Sequence, residues 1–394
     1  MKFLCHLILI IFINMSVIFA YNIDHSNIQS ELPNSFFEKV SNLSVGGYFD
    51  TEYFSTIDSS YTSSKTDSID TFKAHRFILG VSSIITDRIS LNSEIEFEYG
   101  GYVTNTDADS NVQKGEIKIE QAWLDYKLSD TLTNRIGIIL VPFGRVNVLH
   151  DSNLRDATQR PLYSKYIVPS TWFDTGTGFH GKMSYNDVDF GYEVYVVNGL
   201  ADTDDLTTDD IKSSNGIRKA RPNYKIDNNN NKALAGRVFI SPRIGFDVGY
   251  SFYQGKYDDD NSKNIALNGM DLFFKKGKHE FIAEYAIASI DSNSGTVPKK
   301  MDGGYIEFRS HVLQTYLKSK LFSFKRPIIT VFARTGFVNT DHATDYVTYR
   351  YTLGFNFRPV ESVVYKLEFV QDNYDQPTET GFVNQLVASV AVGF

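Results

Sequence analysis

Cysteine is nearly missing: Cys5 is the single one in 394 residues, and it lies within an apolar run at the N-terminus. The rest of the chain therefore has no disulfide framework and no thiolate chemistry. Long hydrophobic runs are missing too. Beyond the first twenty residues no segment offers eighteen consecutive apolar side chains, which excludes a membrane-crossing helix there. If that part of the chain enters a bilayer, it must do so as a closed barrel. No glycine-rich phosphate loop occurs, and His279-Glu280 lacks the second histidine of a zinc-protease helix. With a net charge of −8, nucleic acid is not an expected partner. No cofactor and no metal are expected.

What is present points to a barrel. The chain carries 30 Phe and 24 Tyr, and its mean hydropathy is −0.24. Both suit a β-barrel, in which only alternate residues meet lipid, aromatic girdles mark the interfaces and the loops are hydrophilic. A large soluble β-protein is the alternative, and at this length it would usually form more than one domain.

Residues 1–20 read as a secretory signal peptide. Lys2 forms a short positive start, Phe3 to Phe19 is mostly apolar, and Ile18 and Ala20 sit at −3 and −1 of a cleavage site before Tyr21. A transmembrane anchor is the other reading of this length, but no basic stop-transfer flank follows. Cys5 precedes the apolar core and is not placed for lipid attachment. Residues 21–42 are then expected as a periplasmic N-terminal segment and 43–394 as an outer-membrane barrel.

Period-2 alternation predicts strands near 43–54, 73–85, 88–101, 116–128, 132–141, 176–185, 187–198, 232–241, 243–255, 265–275, 278–290, 303–311, 327–338, 346–358, 361–373 and 382–394. Sixteen is an even number, as bacterial single-chain barrels require. In the third, Ile89, Leu91, Ile95, Phe97 and Tyr99 oppose Ser90, Asn92, Glu94, Glu96 and Glu98. The sixteenth places Leu386, Ala388, Val390, Val392 and Phe394 on one face. A strand closing on a bare aromatic is similar to the assembly signal of outer-membrane proteins, where the last strand must pair with the first. The fold class expected is an all-β, transmembrane, antiparallel up-and-down barrel.

Connections alternate in length. Tight turns are expected at Thr86-Asp87, Ser129–Thr131, Asn186, Ser241-Pro242, Lys276-Gly277 and Pro359-Val360. Long loops span 55–72, 102–115, 142–175, 199–231, 256–264, 291–302, 339–345 and 374–381. Short periplasmic turns and long extracellular loops are the asymmetry of outer-membrane barrels; a sandwich has no reason to keep it. One turn-side connection, 312–326, is long, and Val312, Leu313, Tyr316 and Leu317 recur there at helical spacing. A short amphipathic helix is expected. The acidic tracts at Asp202–Asp210 and Asp258–Asp260 match no calcium-loop pattern and read as solvated loops.

Charges recur on the polar face of nearly every strand. The expected lumen wall comprises Asp50, Glu52, Arg76, Glu94, Glu96, Glu98, Arg309, Arg334, Arg350, Arg358 and Lys366, with Arg88, Asp189, Glu193, Arg237, Asp247, Glu280, Glu284 and Glu368 beside them. Facing lipid, such charges would be very costly, so the interior must be wet. Sixteen strands leave an aqueous bore. The loop 142–175 is the longest connection and carries Arg145, His150, Asp151, Arg155, Asp156, Arg160 and Lys165 among Pro161, Tyr163, Tyr166, Pro169, Trp172 and Phe173. Its aromatic and proline content argues that it packs on the barrel wall, as an inward-folded constriction, rather than over the rim. Enzyme readings lack their parts. Ser310 and His311 are neighbours on opposite faces of a strand, and His180 stands alone. No catalytic residue is expected.

Several stretches resemble porins O and P, the phosphate-selective porin family. They are Val141-Pro142-Phe143-Gly144, Arg160-Pro161-Leu162-Tyr163 and Pro169-Ser170-Thr171-Trp172-Phe173-Asp174-Thr175-Gly176, with Gly178 and Gly181. Gly46-Gly47-Tyr48-Phe49-Asp50 and Gln121-Ala122-Trp123-Leu124-Asp125-Tyr126-Lys127 support them. The resemblance implies a sixteen-stranded trimeric porin in the bacterial outer membrane, with lipid, lipopolysaccharide, a homotrimer and small hydrophilic solutes as partners. Phosphate-specific members line the bore with bases, whereas this wall mixes signs. The expectation is a general diffusion pore. An anion- or phosphate-selective porin and a non-conducting adhesin or structural barrel are the alternatives.

Overall fold

A computed structural model describes residues 42–60, 70–101, 115–202, 210–222, 227–312, 327–377 and 379–394. The expected signal peptide, the N-terminal segment up to residue 41, Asp204, Asp205 and Asp209, and residues 313–326 of the expected helix lie outside the described residues.

Sixteen strands close into one barrel: β1 (Leu43–Ser59), β2 (Thr71–Thr86), β3 (Ile89–Glu98), β4 (Glu116–Ser129), β5 (Leu132–Leu140), β6 (Phe173–Tyr185), β7 (Val188–Val197), β8 (Ala233–Arg243), β9 (Phe246–Lys256), β10 (Asn264–Lys276), β11 (His279–Ile290), β12 (Lys300–Val312), β13 (Ile328–Asn339), β14 (Val347–Val360), β15 (Val363–Gln376) and β16 (Glu379–Gly393). Each pairs antiparallel with its sequence neighbours, and β1 pairs with β16. No sheet edge is left open. The burial is inside-out. Glu96, Glu120 and Glu368 are buried, whereas Leu353, Met270, Phe355 and Tyr365 are exposed. A soluble protein has no use for so extended an apolar exterior; a lipid-facing wall does.

Strand existence follows the alternation, and the differences are at the ends. β3 stops at Glu98 because Tyr99, Gly100 and Gly101 adopt φ of 49°, 81° and 87°. Ser241-Pro242 is not the turn after β8: the strand continues to Arg243, and the chain reverses at Ile244-Gly245, where Gly245 has φ 80°. Likewise Pro359-Val360 belongs to β14 and Glu361-Ser362 makes the turn. Pro has no N–H for the ladder, and the register breaks between Phe357 and Val360. β6 starts at Phe173, so the inward loop is 141–172. Arg88 lies in the β2–β3 turn, exposed, and not on the wall.

The seam between β1 and β16 ends on Phe394. Its N–H donates to the Gly47 carbonyl at 3.0 Å, and the Gly47 N–H donates back at 3.0 Å. The ring stacks on Phe77, with centroids 5.7 Å apart. Gly47 is required beneath it, because a Cβ there would lie 1.9 Å from the Ile78 carbonyl oxygen. Deleting Phe394 removes both bonds, each worth about 1 kcal/mol, together with the ring. The expected result is a smaller heat-modifiable, folded fraction in outer-membrane preparations. An unchanged fraction would contradict a role for Phe394 in closure.

Candidate functional site

The loop 141–172 leaves β5, crosses the lumen and returns into β6. Its geometry begins at Gly144, whose φ of 66° favours glycine and where a Cβ would lie 2.5 Å from both Glu284 Oε2 and the Tyr163 hydroxyl. The five-residue helix α1 (Gly144–Val148) follows. Glu284 on β11 caps it from the wall. Arg145 and Val146 donate backbone N–H groups to this carboxylate at 2.8 and 3.1 Å. The hydroxyls of Tyr163 and Tyr305 add bonds of 2.5 and 2.7 Å. Backbone donors at a helix start favour a carboxylate.

Asn147 then clips the two ends of the loop together. Its Nδ2 donates to the carbonyls of Val141 (2.8 Å) and Trp172 (3.1 Å), and its Oδ1 accepts from Trp172 N–H (2.8 Å). Trp172 is fully buried against Phe143 and Tyr253. With Ile139, Leu162, Ile167, Leu267 and Met301 it forms an apolar core within the barrel. Burying these side chains is what draws the loop onto the wall.

The far side of the loop is held by charge. Lys366 donates to the Ser152 carbonyl (2.6 Å), Arg358 to that of Asn153 (2.8 Å) and Arg334 to that of Gln159 (2.8 Å). Thr158 N–H donates to Glu368 and its hydroxyl meets Ser389 at 2.7 Å. Asp156 faces Arg309 at 3.1 Å, Arg358 at 3.5 Å and Asn356 at 2.9 Å. Burial raises the Asp156 pKa, but Arg309 and Arg358 outweigh it and hold it below the usual value. The basic wall residues are thus joined to the loop or to neighbouring acids. Arg334 meets Glu307, Arg350 meets Asp372 at 2.6 Å, and Arg237 meets Asp271 at 2.7 Å.

Arg155 and Arg160 are built into the loop. Arg155 donates to the carbonyls of His150 (3.0 Å) and Thr158 (2.8 Å), and Arg160 donates to Ser170 Oγ (3.0 Å). Burial, then Arg76 and Arg155, push Arg160 down to about 9; it stays cationic at neutral pH. Arg145 reaches Asp247 (3.3 Å). Lys165 is exposed, its ammonium 4.9 Å from the Tyr166 ring centre, and joins none of these contacts.

On the β1–β4 wall the acids gather. Arg76 bonds Glu96 (2.8 Å) and Glu98 (3.1 Å), and Lys118 bonds Glu96 (2.5 Å). His150 is buried with Nδ1 at 3.0 Å from the Asn147 carbonyl and Nε2 at 3.2 Å from Glu120, with Asp151 at 3.5 Å. Burial disfavours its cation, but Asp151, Glu120 and Glu94 outweigh burial and raise its pKa. Gln121 donates to Glu94 at 2.6 Å.

Two bulges explain the wall residues that alternation misses. The β1–β2 register passes from Asp50↔Arg76 to Thr51↔Ala74, leaving His75 unopposed. That of β3–β4 passes from Glu94↔Gln121 to Ile95↔Ile119, leaving Glu120 unopposed. Each bulge switches the inward parity of its strand. His75 and Arg76 both reach lumen carboxylates, and so do Glu120 and Gln121 reach lumen partners. Asp271, Glu307 and Asp372 needed no such device; they share parity with the bases they bind. The histidines of the enzyme readings have structural surroundings. His180 meets Asp125 (3.1 Å), His311 meets Glu280 (3.1 Å), and His279 stacks on Phe308.

Above the loop, on the long-loop end, Arg218–Ala220 forms a single helical turn of type 3-10. Ile217 N–H donates to the Tyr166 carbonyl (2.7 Å), which seats this segment on the inward loop. A cavity of about 420 Å³ opens there, lined by Glu116, Lys118, Phe173, Asp210, Arg218, Lys219, Arg221 and Pro222.

A closed sixteen-strand barrel with a charged interior, an apolar exterior and a loop folded into its lumen defines the class of outer-membrane porins. The chain belongs to the phosphate-selective porin O and P family, whose model matches residues 53–271. An uncharacterized protein of Aquifex aeolicus (strain VF5) is 27% identical over 293 residues, covering 70% of this chain and 62% of that protein. The chain thus spans less than two thirds of that relative's length. Among solved structures, the outer membrane channel DcaP of Acinetobacter baumannii shares the fold with a TM-score of 0.58 at 12% identity, over 89% of this chain and 97% of that one. The anion-selective porin from Comamonas acidovorans gives 0.59 at 10% identity, over 89% and 99%. The trimer form of OmpT from Vibrio cholerae gives 0.53 at 10%, over 89% and 99%. Family and barrel place the chain in the bacterial outer membrane.

Proposed function

We propose that this chain is a porin through which small hydrophilic solutes and ions diffuse passively. The observation that carries the reading is the charged interior of the closed barrel, crossed by the loop 141–172. In this reading Arg145, His150, Asp151, Arg155, Asp156 and Arg160 belong to the constriction. Asp50, Glu52, Arg76, Glu94, Glu96 and Glu98 form one wall, and Arg309, Arg334, Arg350, Arg358 and Lys366 the other. Lys165 is left at the margin. The role is passive and without catalysis. A homotrimer bathed in lipid and lipopolysaccharide, made with a cleaved signal peptide and a short periplasmic segment, completes the proposal.

One observation favours a second reading, an anion preference. Burial and the nearby Arg76 lower the pKa of Arg155, and burial with Arg76 and Arg155 lowers that of Arg160, and Lys118, Arg218, Lys219 and Arg221 line the cavity above. The anion-selective Comamonas porin shares the fold.

The test is planar-bilayer recording of the folded protein. Stepwise conductance is expected, with a reversal potential in a salt gradient that reports the ion preference. Folded, heat-modifiable protein that gives no conductance steps would sink the porin reading in favour of an adhesin or structural barrel.

A further inference from the structure

The bulge in β2 does more than add a charge to the wall. It brings His75 opposite two acids that alternate on β1, Asp50 and Glu52. His75 Nδ1 lies 3.1 Å from Asp50 Oδ2 and 3.0 Å from Glu52 Oε1. One ring nitrogen has one in-plane direction. As N–H it serves one carboxylate and leaves the other without a donor; as a lone pair it needs a cation between itself and both. Asp50 is 3% exposed, and its second oxygen, Oδ1, is buried with no hydrogen-bond partner in good geometry. The Ser152 hydroxyl is the other side-chain donor near this carboxylate.

The surrounding bases are otherwise occupied. Arg76 turns to Glu96 and Glu98. Lys73, the cross-strand partner of Glu52, places its ammonium 4.1 Å from the Phe54 ring centre. Arg155 spends its donors on carbonyls of its own loop and on Ser152.

The geometry points to a divalent transition-metal site on the lumen wall, with His75, Asp50 and Glu52 as ligands and zinc as the fitting ion. The three ligand atoms lie within 4.8 Å of one another. Zinc ligands at about 2.0–2.2 Å form tetrahedral edges of about 3.3–3.6 Å, so the two edges to His75, 3.1 and 3.0 Å, need to spread by only a few tenths of an ångström. One nitrogen and two carboxylate oxygens leave a fourth position for water. The His75 side chain keeps 15% exposure, which gives the ion an approach from the lumen.

The experiment is calorimetric titration of zinc into the folded full-length barrel in detergent. Wild type should saturate with one zinc per chain by about 10 μM. Since loss of an outer-shell partner alone costs about 10–100-fold in metal affinity, His75→Gln and Asp50→Asn should each weaken binding at least tenfold. Heat-modifiability shows which variants fold, and either variant suffices. His150→Gln, in the separate cluster with Glu94 and Asp151, should bind zinc as wild type does. Absence of saturable binding in folded wild type overturns the site. So does a folded His75→Gln or Asp50→Asn variant that binds unchanged, or binding lost in His150→Gln instead.

Discussion

Replacing Arg218 and Lys219 together with glutamate is expected to swing the reversal potential toward cations. The cavity they line has four cationic residues, Lys118, Arg218, Lys219 and Arg221, against Glu116 and Asp210. The double change moves four units of charge. A unit charge about 8 Å away in water is worth about 0.5 kcal/mol before screening, and the Debye length is of the same order. Together these give a roughly tenfold change in the anion-to-cation permeability ratio. This segment is the right place to test, because Arg155 and Arg160 hold the inward loop together and reversing them would break the loop along with the charge. A folded double variant with the wild-type reversal potential would show that ions do not pass this cavity.

The second large effect is expected at Glu284. Its carboxylate takes donors from Arg145, Val146, Tyr163 and Tyr305. Alanine there strands four donors, three of them buried, and uncaps α1. Removing one partner of such a buried network costs about 3–5 kcal/mol. Folded protein should therefore show noisier and larger conductance steps, as the loop loosens from β11, with a lower unfolding temperature. Glu284→Gln keeps part of the acceptor set and should fall between. Conductance and stability equal to wild type in Glu284→Ala would mean that the apolar core alone fixes the loop.

Much of this was written in local pattern. Alternation placed all sixteen strands, since a wall with lipid on one side and water on the other forces period 2. Parity also explains why Asp271, Glu307 and Asp372 meet the bases Arg237, Arg334 and Arg350 across neighbouring strands, although the count by twos did not single these acids out. The failures have particular causes. Two bulges switch parity within β2 and β4, so His75 and Glu120 were invisible to a count by twos. Pro242 and Pro359 looked like turn residues, yet both sit within strands whose registers break to accommodate them. The inward loop was suggested by its aromatics and prolines. Its attachments were not legible, because Glu284, Arg334, Lys366 and Glu368 lie more than a hundred residues away along the chain and meet it only after the barrel closes.

That attachment has a mechanical consequence. A ring of hydrogen-bonded strands bends easily at every joint and can be flattened into an oval without breaking a bond. The loop is a tie laid across the ring. It is rooted at β5 and β6, braced on β11 by Glu284, and fastened to β13, β14 and β15 through Arg334, Arg358 and Lys366. Squeezing the ring along that chord must crush packed side chains, and stretching it must pull charged bonds apart. The loop that crosses the lumen therefore also stiffens the ring against the lateral pressure of the lipid around it.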